Sequence, residues 1–160
     1  KPFLRHTGPT LSPFNAWVLL KGLETLKLRV EAQSRAAATV AEALASTKGV
    51  ERVYYPHHDT HAQVNLARCQ MKMGGTMVSF DVAGGKAKAF DVLRKLGIID
   101  ISNNLGDAKS LITHPATTTH RNIGPEARAM MGITDGNLRL SVGLEDVDDL
   151  VGDLRQALKP

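Results

Sequence analysis

The alternation from Asn137 to Val142 limits the fold more than any other stretch of the chain. Leu138, Leu140 and Val142 fall on one side of an extended segment, and Arg139 and Ser141 fall on the other, because successive strand side chains point to opposite faces. Such a strand belongs in a sheet with one face covered and the other left open. The covering elements are legible too. Ser12-Pro13 suits a helix start, since serine caps and proline fits the first helical position. Downstream, Leu19, Leu23, Leu26, Val30, Ala37, Val40 and Leu44 recur at three- and four-residue steps to about Lys48, where Gly49 ends the run. Gly22 is the weak point of this stripe and predicts a bend between two helices. Val147, Leu150, Val151, Leu154 and Leu158 repeat the helical spacing near the end. Asp146, Asp148 and Asp149 sit in that helix's first turn, where the helix dipole favours acids.

Further strands are predicted at Val50–Tyr55, closed by Pro56, at Thr76–Val82, and in shorter form at Ile98–Ile101 and Ser110–Thr113. Helices are predicted around Gln63–Gln70, after Gly84-Gly85 through Ala87, Phe90 and Leu93, and from Gly124-Pro125. The expected fold class is α+β, a small antiparallel sheet with helices on one face. The 160 residues suit one domain. Residues 1–48 form its helical lead-in, and residues 49–160 carry the sheet and the remaining helices.

Composition excludes several classes. With 42% hydrophobic and 22% charged residues, the chain has the balance of an ordinary globular protein. No apolar run reaches the roughly 18 residues needed to span a bilayer, so no membrane association is expected. The one cysteine, Cys69, cannot form an internal disulfide, which fits a reducing compartment and a cytoplasmic location. The net charge of +4 is spread thinly over the sequence, and aromatic residues make up 4%. Neither a basic block nor a stacking platform for bases is present, so no nucleic-acid partner is expected.

Taken on pattern alone, Arg139 is a surface charge if its strand face meets solvent, and a bidentate carboxylate or phosphate grip if that face lines a cleft. Two polar loops, Ser102–Asp107 and His114–His120, read equally as turn chemistry and as site-forming loops. His57, His58, Asp59 and His61 are an accidental cluster in a turn rather than a metal site. His114 or His120 with Cys69 would make a nucleophilic pair only with surroundings that the sequence does not supply. Gly84-Gly85-Lys86 reads as a tight turn, because the remaining glycines of a phosphate loop are missing.

Several blocks taken together resemble one family. They are Gly8-Pro9-Thr10-Leu11-Ser12-Pro13-Phe14-Asn15-Ala16-Trp17, Leu20–Leu26, Asn104–Ile112, His114-Pro115-Ala116-Thr117-Thr118-Thr119-His120 and Leu138–Asp146. Their order and spacing resemble the pyridoxal-phosphate enzymes of Cys/Met metabolism, over nearly the whole chain. The resemblance implies the carboxy-terminal domain of an aspartate-aminotransferase-type fold, in an enzyme that works as a homotetramer on a small amino-acid substrate. It implies pyridoxal phosphate as cofactor of the full-length enzyme. The lysine and phosphate-binding residues that hold it are expected upstream, so no catalytic or cofactor-binding residue is assigned within this chain. The resemblance also turns Arg139 into the arginine that grips the substrate's α-carboxylate. Asn104 becomes a second carboxylate contact and Thr119 part of the pocket lining. Lyases and cystathionine synthases of the family usually carry Glu-Ser before Leu-Gly-Gly, whereas Asn103-Asn104 precede Leu105-Gly106-Asp107 here. That departure points toward the branch acting on homoserine esters with sulfide. A succinyl ester is expected first, with an acetyl ester or cystathionine chemistry as alternatives, and a free-standing α+β binding module as the rival from another class.

Overall fold

The structure is a computed structural model that describes residues 11–159. Gly8, Pro9 and Thr10, which open the first of the resembling blocks, lie outside the described residues. Among the described residues, six helices and five strands follow in order: α1 (Pro13–Glu24), α2 (Leu26–Ala45), β1 (Val50–Tyr54), α3 (Val64–Gln70), β2 (Met77–Val82), α4 (Gly85–Lys95), β3 (Asp100–Ile101), β4 (Leu111–Thr113), α5 (Pro125–Met130), β5 (Asn137–Ser141) and α6 (Val147–Leu158). A short 3-10 turn, Pro115–Thr117, follows β4.

The strands form one sheet in the order β1-β2-β5-β4-β3. Three pairings are antiparallel, as the sequence leads one to expect. The fourth, between β3 and β4, is parallel, with Asp100 beside Leu111 and Ile101 beside Ile112. The alternation around Arg139 sets the faces. Val78 and Phe80 of β2 pair with Leu140 and Leu138 of β5, and all four are fully buried. They meet Val40, Ala41 and Leu44 of α2 and Leu150 and Leu154 of α6 in the core. Helices α2, α4 and α6 therefore cover one face. On the other face lie Tyr54 of β1, Ser79 and Asp81 of β2, Asn137, Arg139 and Ser141 of β5, and Thr113 of β4, all in register.

The long N-terminal stripe breaks at Thr25, not at Gly22. Gly22 stays helical, with open space where a side chain would stand. Thr25 leaves the helical region at φ −106°, ψ 3°, as a β-branched residue of low helix propensity does most readily. Arg29 takes up the carbonyl of Gly22 that the break frees. The two halves of the stripe have different surroundings. Ala37, Val40 and Leu44 are core residues, whereas Leu19, Leu23, Leu26 and Val30 are exposed, and α1 buries no residue at all.

Candidate carboxylate-binding site

Arg139 sits at the middle of β5, flanked by Ser79 of β2 and Thr113 of β4. It is the half-buried exception in a strand whose other residues are buried. Its Nη2 donates to the backbone carbonyl of Asn103 at 2.8 Å. Asn103 is held in turn by Thr113, whose Oγ1 donates to Asn103 Oδ1 at 3.0 Å. The guanidinium is thus aimed at the loop that carries Asn104, which is exposed and whose backbone N–H donates to Ser102 Oγ at 3.2 Å. Thr119 lies in the second loop. It is exposed and shares a 2.8 Å hydrogen bond with His120 Nδ1. The structure therefore brings Arg139 and the Asn103-Asn104 loop into contact. Thr119 joins them only through His120, which lines the same cleft as Arg139.

That cleft, about 450 Å³, runs over β1, β2 and β5 and is bordered by Tyr54, His61, Ser79, His120, Asn137 and Arg139. Beneath it lies a buried carboxylate. Asp81 is 5% exposed and accepts from Tyr54 Oη at 2.7 Å, Asn137 Nδ2 at 2.8 Å and Thr134 Oγ1 at 2.9 Å. Three donors compensate the desolvation of this charge. Burial, then the hydrogen bond and the negative charge of Asp81, push the Tyr54 phenol above its ordinary range, against the opposing influence of Arg52. Tyr54 is accordingly a fixed neutral donor at physiological pH. Sequence reading missed Asp81 and its donors. The available signal was Ser79 and Asp81 alternating with the apolar residues of β2, the pattern that singled out Arg139.

The remaining sequence candidates separate. His114 is buried, with Nδ1 against Thr117 Oγ1 and Nε2 against the Asp135 carbonyl, both at 2.9 Å. Cys69 is exposed on α3, so the two do not form a pair. His58 Nδ1 meets Thr60 Oγ1 and His61 Nδ1 accepts the Gln63 N–H. No three potential ligand side chains converge among the described residues. Gly84 and Gly85 adopt positive φ values of 100° and 61° at the entry to α4, as a tight turn requires.

Arg139, with one N–H bound to a carbonyl and the rest of its planar fork facing a cleft without acidic borders, suits a carboxylate. Pyridoxal phosphate needs an amine and a phosphate cradle as well. Among the described residues no lysine borders this cleft. Lys21, Lys88, Lys95 and Lys109 pair with carboxylates elsewhere. The described residues do not by themselves fit that cofactor.

Fold and site together define an α+β domain with an arginine on its uncovered sheet face. Residues 1–159 match the family described as Cys/Met metabolism PLP-dependent enzyme, and the chain belongs to that family. It is 57% identical to the O-succinylhomoserine sulfhydrylase of Mycobacterium tuberculosis, over 97% of this chain and 39% of that protein. It is 51% identical to the O-succinylhomoserine sulfhydrylase of Pseudomonas aeruginosa, over 98% of this chain and 39% of the relative. Among solved structures, an O-acetylhomoserine (thiol)-lyase from Campylobacter jejuni superposes with a TM-score of 0.91 at 40% identity. The match covers 99% of this chain and 38% of that one. That structure carries N'-pyridoxyl-lysine-5'-monophosphate. The chain thus spans about 39% of the length of the curated relatives it matches.

Proposed function

We propose that this chain is the substrate-carboxylate-binding part of an O-succinylhomoserine sulfhydrylase. Such an enzyme replaces the succinyl group of O-succinylhomoserine with sulfide, giving homocysteine for methionine biosynthesis. The observation that carries the reading is Arg139, held at 2.8 Å from the Asn103 carbonyl on the uncovered face of the sheet. A guanidinium fixed in this way orients an amino acid through its α-carboxylate, so that the bonds at Cα stand correctly over a cofactor ring. The cofactor supplies the electron sink. Asn104 makes a second contact to the carboxylate, and Thr119 lines the pocket beside His120. The lysine and the phosphate cradle come from sequence upstream of Lys1, and the complete enzyme is a cytoplasmic homotetramer. The identity to two O-succinylhomoserine sulfhydrylases supports the acyl group. The similarity to the Campylobacter O-acetylhomoserine (thiol)-lyase favours an acetyl ester as the second reading.

The test replaces Arg139 in the full-length enzyme. Because Arg139 stands opposite the core residues of β5, Arg139→Ala should leave thermal stability near parental. A hydrogen bond to a charged partner contributes roughly 1.5–3 kcal/mol, so kcat/KM should fall at least about tenfold. Arg139→Lys should also be impaired, since an ammonium cannot reproduce the fork. Parental kinetics, or a loss of activity explained by unfolding, would overturn the assignment. Comparing succinyl and acetyl esters on the parent decides the acyl group.

A further inference from the structure

We propose that Ser141 and Glu145 are positioning residues for this carboxylate site: they clasp the segment 103–110 to the end of β5 and so set where Asn103 and Asn104 stand over Arg139. The inference rests on the carboxylate reading of Arg139. Its basis is how the segment is fastened. Glu145 accepts the Ser110 backbone N–H on Oε1 at 2.6 Å and the Ser110 hydroxyl on Oε2 at 2.8 Å. The same Ser110 Oγ, fully buried, accepts the Gly143 N–H at 2.8 Å. The Leu144 N–H donates to the Ala108 carbonyl at 2.8 Å. Four residues back, Ser141 Oγ accepts the Gly106 N–H at 2.9 Å. At the far end Arg139 itself holds the Asn103 carbonyl. From β5 onward, residues 139, 141, 143, 144 and 145 therefore grip the loop at successive points along its length.

The grip has little slack. A Cβ on Gly143 would collide with Glu145 Oε2, the Ser110 amide and the Ala108 carbonyl, so strand end and loop touch backbone to backbone. Ser141 lies on the same strand face as Arg139, two residues on. One stretch of chain thus carries the guanidinium together with the groups that fix its distance from the loop. A loop contact to a carboxylate works only if that distance is held, since small misplacements at a binding site cost large factors in rate. Glu145 is half-buried and Ser141 buried. Neither borders the cleft, so both act through the loop and not on the substrate.

The experiment uses the full-length enzyme and its acyl-homoserine substrate. Ser141→Ala, Glu145→Ala and Glu145→Gln are each made in the parent and in Arg139→Lys. In the parent, Ser141→Ala and Glu145→Ala should each raise KM about tenfold with kcat changed less than about threefold. Glu145→Gln keeps an acceptor for the Ser110 N–H and should recover most of the loss. In the Arg139→Lys background the same changes should add less than about twofold, because coupled groups are non-additive. Ser141→Ala, the smallest of the changes, serves if Glu145→Ala fails to fold. KM within about twofold of parental for Ser141→Ala, a change in kcat alone, or penalties that multiply independently of Arg139 would overturn the clasp. Parental KM in Arg139→Lys and Arg139→Ala would instead sink the carboxylate reading, whatever Ser141 and Glu145 do.

Discussion

Asp153 illustrates how much a single residue can hold that its sequence position conceals. In the chain it occupies one of the gaps in the apolar spacing of α6, where a solvated acid is the natural reading. In the structure it is 7% exposed and ties the end of α4 to the start of β3. It accepts the Gly97, Ile98 and Ile99 N–H groups at 2.8, 2.9 and 3.2 Å, and Gln156 Nε2 at 3.1 Å. Burial pushes its carboxyl upward, but the three amides and Gln156 outweigh burial and hold it below the usual carboxylate range. Asp153→Ala should cost about 3 kcal/mol, because it strands buried amides without an acceptor. Since the folded value is depressed, the carboxylate's stabilisation is complete above the unfolded value and fades as pH falls through the folded one. The gap in urea stability between parent and Asp153→Asn should therefore narrow below about pH 4. A gap that stays constant across that window would show that the charge is not what the amides recognise. Arg139 is the opposite case. Its face was legible from alternation, yet the role proposed for it came from the family resemblance, because alternation cannot say whether an open face meets water or a ligand. Alternation gives the faces of Asp81 and Ser141 as well, but not their partners or those of Glu145, which lie far along the chain: 56 positions separate Asp81 from Asn137 and 35 separate Glu145 from Ser110.

At the scale of elements, strands and helices were read well wherever period and punctuation agree, as in β5, β2 and α6. The parallel β3–β4 pair was not. Two- and three-residue strands carry no period from which their direction could be read. The stripe over α1 and α2 was read as one amphipathic surface because spacing is blind to what covers it. Only α2 finds a core. Helix α1 leaves Phe14, Trp17, Leu19, Leu20 and Leu23 exposed, with Phe14 and Trp17 in ring contact at 6.0 Å. A helix apolar on nearly all sides is stable only when covered. The isolated 160-residue chain should therefore self-associate at tens of micromolar, and Trp17→Glu with Leu20→Glu should return it to monomer without lowering Tm. Sedimentation velocity and thermal melts decide this. A monomeric parent, or a double variant that melts early, would mean that α1 already has its partner within the domain.

For the whole molecule, the fold class and the family membership could be read from the chain, and the cofactor's chemistry followed from the family. The candidate site on the described residues has an arginine suited to a carboxylate and no lysine at its border. The isolated chain mixed with pyridoxal phosphate should accordingly give no stoichiometric lysine adduct and no turnover. Borohydride reduction followed by mass mapping would reveal one. A single lysine labelled to completion, with activity, would refute the division of labour proposed above.

The strand order has a consequence for how the protein comes into being. The middle of the sheet joins β2 to β5, so Phe80 waits for Leu138 and Val78 for Leu140. Everything between them must be synthesised first. While the ribosome is still making that stretch, β2 has β1 along one edge and α2 against its apolar face, and its other edge has no strand beside it. Loop closure over such a span is entropically slow, and an unpaired apolar strand invites pairing with another chain. The strand that delivers the arginine therefore also closes the middle of the sheet, and a nascent chain halted before Asn137 should keep one edge of β2 open, the kind of surface that chaperones recognise.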